Sequence, residues 1–138
     1  MFVKDVMNQE PYILYEDDTV LNASKFMKEG KIRNLPVVDK EGKLVGLITL
    51  REVIDIVFKN PEKILIRDIM IKPPQVKSVM PDTPLKGAIE VMLVNKYGSL
   101  PVMDNEGKLI GMLTESELLK ILYEVTTLPK GFFQVKSK

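Results

Sequence analysis

The sequence predicts an α+β (α/β-like) fold of two pseudo-symmetric β-α-β-β-α units packed through their small mixed sheets. Three observations predict it. The chain repeats itself, each copy carries the same order of strand and helix signals, and each copy is too short to bury a sufficient core alone. The 138 residues are 45% apolar and 28% charged, with 20 basic against 19 acidic side chains, an ordinary globular balance. A copy of roughly 60 residues is marginal by itself, so the two are expected to share an interface.

The repeat begins with VKDVM (Val3 to Met7), which recurs as IRDIM (Ile66 to Met70). Thr19-Val20-Leu21 recurs as Thr83-Pro84-Leu85, and the longest match sets Leu35 to Val53 against Leu100 to Leu118. Single-residue insertions before Thr83 and near Lys86-Gly87 account for the changes of offset. The expected division is 1–62 and 63–125, with 126–138 as a tail.

Within each copy a short apolar run, Tyr12 to Tyr15 or Val76 to Val79, comes first as a strand. Asp18-Thr19 and Asp82-Thr83 follow as helix N-cap signals. Val20, Ala23, Phe26 and Met27 then share one helical face, as do Leu85, Ala88, Ile89, Met92 and Leu93. Leu-Pro-Val-Val and Leu-Pro-Val-Met read as strands with Pro near the start, where a missing N–H is tolerated. Asp39 to Gly42 and Asp104 to Gly107 read as hairpin loops with Gly available for a positive φ. Second strands follow over Leu44 to Ile48 and Leu109 to Leu113. Closing helices start at Thr49 and Thr114, carrying Val53, Ile54 and Val57 or Leu118, Leu119 and Leu122.

The chain contains neither Cys nor His. That removes disulfides, thiolate and Ser-His or Cys-His catalysis, and nearly every zinc site. The eight Met residues read as core filler. Near-neutral charge argues against a dominant polyanionic partner, and no apolar run approaches the ~20 residues of a bilayer span. The amino-terminal residues lack an apolar signal core, so the expected compartment is the cytoplasm. No metal and no catalysis are expected.

With the paired VKDVM/IRDIM openings, the LPVVD/LPVMD strands and the G-h-h-T segments followed by an acidic residue, the chain resembles a tandem pair of CBS domains, a Bateman module. The resemblance runs from Phe2 to about Glu124 and implies a stand-alone regulatory pair. It implies a cleft between the repeats for an adenosyl ligand: AMP, ADP, ATP, S-adenosylmethionine or a dinucleotide. Carried over by position, Thr49 with Glu52 and Thr114 with Glu117 would meet the ribose and phosphate. Ile13 and Val76 would flank the adenine, and Arg33 would meet phosphate, with Arg51 a second cation. Copy two has Gly98 and Ser116 at those cationic positions, so the better phosphate site is expected in copy one. The resemblance further implies a homodimer joined through helices.

Both copies depart from the pattern by carrying Glu where the family has Asp. The extra methylene moves the carboxylate by on the order of one C–C bond. Thr-x-x-Glu is also a helix capping box, so a purely structural role is the competing reading at both sites. Arg33 can equally be a solvated cation, and Ile13 and Val76 plain core residues. The alternative function is a ligand-free protein-interaction module. Single-stranded nucleic acid is a weaker alternative, disfavoured by neutral charge and a 7% aromatic share. The tail, with Lys130, Phe132, Phe133, Lys136 and Lys138, is expected either as a flexible end or as a segment that packs its two Phe rings on the partner chain of a dimer.

Overall fold

A computed structural model describes residues 1–126; the tail residues from 127 onward, including Lys130, Phe132, Phe133, Lys136 and Lys138, lie outside the described residues. The first unit contains strand β1 (Leu14–Tyr15), helix α1 (Val20–Gly30), strands β2 (Asn34–Val38) and β3 (Leu44–Thr49), and helix α2 (Leu50–Ile56). A short helix α3 (Ile66–Ile69) leads to the second unit: helix α4 (Leu85–Asn95), strands β4 (Ser99–Met103) and β5 (Leu109–Thr114), and helix α5 (Glu115–Val125). The first sheet is mixed, with β1 parallel to β2 and β2 antiparallel to β3. In the second, β4 and β5 are antiparallel, and Val79 adds one parallel bridge to Val102 in place of a strand. The predicted strand signals at 12–15 and 76–79 thus shrink to two residues and to one bridge.

Helix α1 starts as its sequence dictates, with the Thr19 hydroxyl accepting the Asn22 N–H at 3.2 Å. Its counterpart does not. The extra residue between Thr83 and Ala88 leaves Pro84 in the N-cap position of α4, and the Thr83 hydroxyl instead accepts the Met80 N–H. Both hairpins form as expected. The Asp39 carboxylate accepts the N–H groups of Glu41 and Lys43, the Asp104 carboxylate those of Glu106 and Lys108, and Gly42 and Gly107 take φ of 84° and 83°.

The faces of α1 and α4 follow the apolar spacing, with one correction. Val20, Ala23 and Met27 are buried under α1, and Leu85, Ala88 and Met92 under α4, but Leu93 is 73% exposed. Two positions past Val91, it falls off the inward stripe that Ile89 and Met92 continue.

The cores are exchanged at their edges. Ile66, from the opening of the second copy, is fully buried among Leu14, Leu35, Val37 and Ile48 of the first unit. Val3, from the opening of the first copy, is fully buried among Leu100, Val102 and Leu113 of the second. Backbone pairing fixes both exchanges. Asn8 pairs with Met112 and Ile71 with Leu47, each through two hydrogen bonds of 2.8–2.9 Å. Lys4 Nζ meets Asp82 Oδ1 at 2.9 Å, which raises the Lys4 pKa through that hydrogen bond and the charge of Asp82. The tether is therefore intact at neutral pH, and the Lys4 contribution is lost as pH climbs through the raised value.

Between the units, the hairpin loops join symmetrically: the Leu44 N–H donates to Gly107 and the Leu109 N–H to Gly42, both at 3.0 Å. Strand alternation supplies the rest of the interface. Leu35, Val37 and Ile48 point into their own core, so Pro36, Leu47, Asn34 and Thr49 face the other way. Pro101, Met112, Ser99 and Thr114 do the same in the second unit.

Candidate functional site

The two Thr-x-x-Glu segments are built alike. The Thr49 N–H and hydroxyl both donate to Glu52 Oε1, at 2.6 and 2.7 Å, and the capping box closes over the first turn of α2. Thr114 and Glu117 repeat the arrangement at α5. A shared acceptor at the cap is worth ~1 kcal/mol to the helix. In each copy both bonds fall on one carboxylate oxygen, so among the described residues Oε2 is free to accept from a further hydroxyl. The structural and the ligand-facing roles are therefore compatible on these side chains.

Their position matters more than their bonds. Thr49 pairs with Asn34 and Thr114 with Ser99, so each capped helix start sits beside the start of a Leu-Pro strand on the inter-unit face. The two strand starts approach one another there. The amide nitrogen of Asn34 lies 3.8 Å from where a Cβ would stand on Gly98. Ser99 is 5% exposed, and its hydroxyl is without a hydrogen-bond partner among the described residues. Burying a hydroxyl unsatisfied costs ~1–3 kcal/mol. Sequence reasoning passed over Ser99, because nothing in its type or spacing marks a hydroxyl as unpaired.

The other expected site residues are spread out. Arg33 is exposed and lines a groove of about 400 Å³ between α1 and α2, with Lys28, Lys31 and Leu50. Its carbonyl accepts the Leu50 N–H at 2.8 Å, which holds it next to the Thr49 cap. Arg51 is exposed on the first turn of α2. Ile13 is half-buried at the opposite end of the interface, in a cleft of about 470 Å³ between Gln9–Pro11, the first hairpin loop and Leu109 to Gly111 of β5. Val76 is half-buried in the segment before Val79. The structure thus brings Arg33 and Thr49 together and sets Ile13 at the hairpin end. Among the described residues no cluster of three or more acidic side chains is arranged to hold a metal, and no helix is long and apolar enough to cross a membrane.

Comparison with known proteins agrees with this architecture. The family model described as CBS domain matches twice, at residues 3–59 and 66–124. A CBS domain-containing protein of Dictyostelium discoideum is 35% identical over 136 residues, covering 91% of this chain and 93% of that protein. Inosine-5′-monophosphate dehydrogenase of Methanocaldococcus jannaschii is 39% identical over 118 residues, but this chain spans only 22% of that enzyme. Among solved structures, the CBS domain pair of protein MJ0100 in complex with 5′-methylthioadenosine and S-adenosyl-L-methionine superposes with a TM-score of 0.79 at 25% identity. That match covers 91% of this chain and 98% of the other. CBSX2 in complex with AMP gives a TM-score of 0.79 at 28% identity, over 90% and 97% of the two chains.

Proposed function

Because the chain belongs to the CBS domain family, we propose that it is a non-catalytic regulatory module that binds an adenosyl ligand between its two units. The observation that carries the reading is the pair of Thr-capped helix starts, both turned onto the inter-unit face beside Asn34 and Ser99. A ribose needs acceptors and donors a few ångströms apart, and each corner offers a hydroxyl, a carboxylate oxygen and the N–H groups of a helix start. Arg33 and Arg51 add cations for phosphate at the first corner. Two structural neighbours support the ligand class, one bound to AMP and one to 5′-methylthioadenosine and S-adenosylmethionine. Occupancy regulates only if the ligand binds one arrangement of units or chains better than another.

A ligand-free interaction module is the second reading, and closure of both capping boxes favours it. A thermal-shift panel of AMP, ADP, ATP, S-adenosylmethionine and NAD separates the two. A ligand at 100 times its Kd adds ~2.7 kcal/mol, which moves the midpoint of a chain this size by roughly 5–15 °C. Under the adenosyl reading a selective shift is expected. For AMP, Thr49→Ala with Glu52→Ala should reduce it more than Thr114→Ala with Glu117→Ala. Arg33→Ala should weaken AMP more than adenosine. A flat panel, with equal small losses of stability in the two cap variants, would leave only the caps.

A further inference from the structure

The two inter-unit corners occupy matched positions and carry opposite charge. At the first, Arg33 precedes Asn34, and Arg51 stands with Glu52 on the first turn of α2, so two cations face one carboxylate. At the second, the matched positions are Gly98 and Ser116, and α5 opens with Glu115 and Glu117. The Glu115 carboxylate reaches the inter-unit boundary. A Cβ built on Gly98 would stand 2.9 Å from Glu115 Oε1 and 3.8 Å from the amide nitrogen of Asn34, so the glycine is what admits the carboxylate. The Glu115 N–H donates to the Gly98 carbonyl at 3.1 Å, which fixes this turn against the start of β4. One residue on, Ser99 is more than nine-tenths buried, with its hydroxyl unpaired among the described residues. The ladder sets Ser99 opposite Thr114, on the face turned away from Leu100 and Val102. Buried hydroxyls without a partner are uncommon, and a polar ligand atom at this corner would satisfy this one.

We infer that Glu115 is the specificity-determining residue of the second corner. It repels a phosphate and selects an adenosyl ligand whose 5′ substituent is uncharged or cationic, a thioether or a sulfonium. The Arg33–Arg51 corner takes the phosphate-bearing ligand. The assignment rests on the adenosyl reading and adds to it which chemistry each half accepts. Leu50 stands where the second copy has Glu115, so the first corner has no carboxylate at this place to oppose a phosphate. A carboxylate in a helix's first turn also favours the helix dipole. The test must therefore read ligand preference as well as stability.

Calorimetric titration of the full chain with AMP, 5′-methylthioadenosine and S-adenosylmethionine, in the wild type and in Glu115→Gln, provides that readout. In the variant, AMP at its weaker site should gain on the order of tenfold, and S-adenosylmethionine should lose a similar factor. Methylthioadenosine, which carries no charge, should change by less than about twofold on the same electrostatic grounds. Raising ionic strength on the wild type should erode the same preference without any substitution. If all three ligands bind and their ratios move neither in Glu115→Gln nor with salt, the assignment to Glu115 is overturned and the adenosyl reading stands. If the wild type binds none of the three, both are overturned together.

Discussion

At Gly111 a single added methyl group has nowhere to go. Its Cβ would meet the Asn8 carbonyl oxygen at 2.8 Å and the Met7 sulfur at 2.9 Å. The sulfur can rotate aside, but the carbonyl is held in the Asn8–Met112 backbone pair. Gly111→Ala should therefore cost roughly 1–3 kcal/mol, measured by chemical denaturation. Gly87→Ala is the control. That residue lies in α4, its nearest non-local atom would be 3.9 Å away, and the change should stabilise by about 0.5–1 kcal/mol. The same scale explains what sequence could report about the site. Thr49, Glu52, Thr114 and Glu117 were legible as capping boxes because a cap is a local pattern with a fixed spacing. The unpaired Ser99 hydroxyl and the Glu115–Gly98 contact were not, because they depend on which atoms the second unit brings to that corner.

The elements were equally legible where their causes are local. Helix periodicity, Leu-Pro strands and Asp-to-Gly hairpin loops all stand where the residues predict, since each depends on neighbours within a few positions. The Pro84 cap differs because one inserted residue shifts Thr83 off the cap position without erasing the signal. The exchange of opening segments lies beyond any repeat alignment. Internal similarity shows that Val3 matches Ile66, not that each belongs in the other's core. Val3→Ala should cost roughly 1–3 kcal/mol. By hydrogen exchange it should loosen β4 and β5 while β2 and β3 keep their protection. Equal loss of protection in both sheets would contradict the assignment of Val3 to the second core.

Across the whole molecule, most of the large apolar side chains left exposed among the described residues stand on the helices. Leu93 and Val94 of α4 and Leu119, Leu122 and Tyr123 of α5 are all exposed, Tyr123 to 84%. Among the described residues nothing covers this surface, and a homodimer, as the resemblance implies, is the arrangement that would bury it. Light scattering after chromatography should give twice the chain mass, and Leu119→Lys with Tyr123→Lys should return it to one chain while leaving both capped helix starts unaltered. A monomeric wild type would instead turn the search towards a different protein partner.

The crossed openings also set an order of events on the ribosome. Lys4 and Asp82 stand 78 positions apart, and Asn8 waits for Met112, which lies further still towards the carboxyl end. The first unit can close once the segment around Ile66 has emerged. Residues 1–8 are made well before their docking surface, which is complete only once the strand carrying Met112 has emerged. Their apolar side chains therefore stay without a partner while the residues up to Met112 are synthesised, so a segment made early docks late.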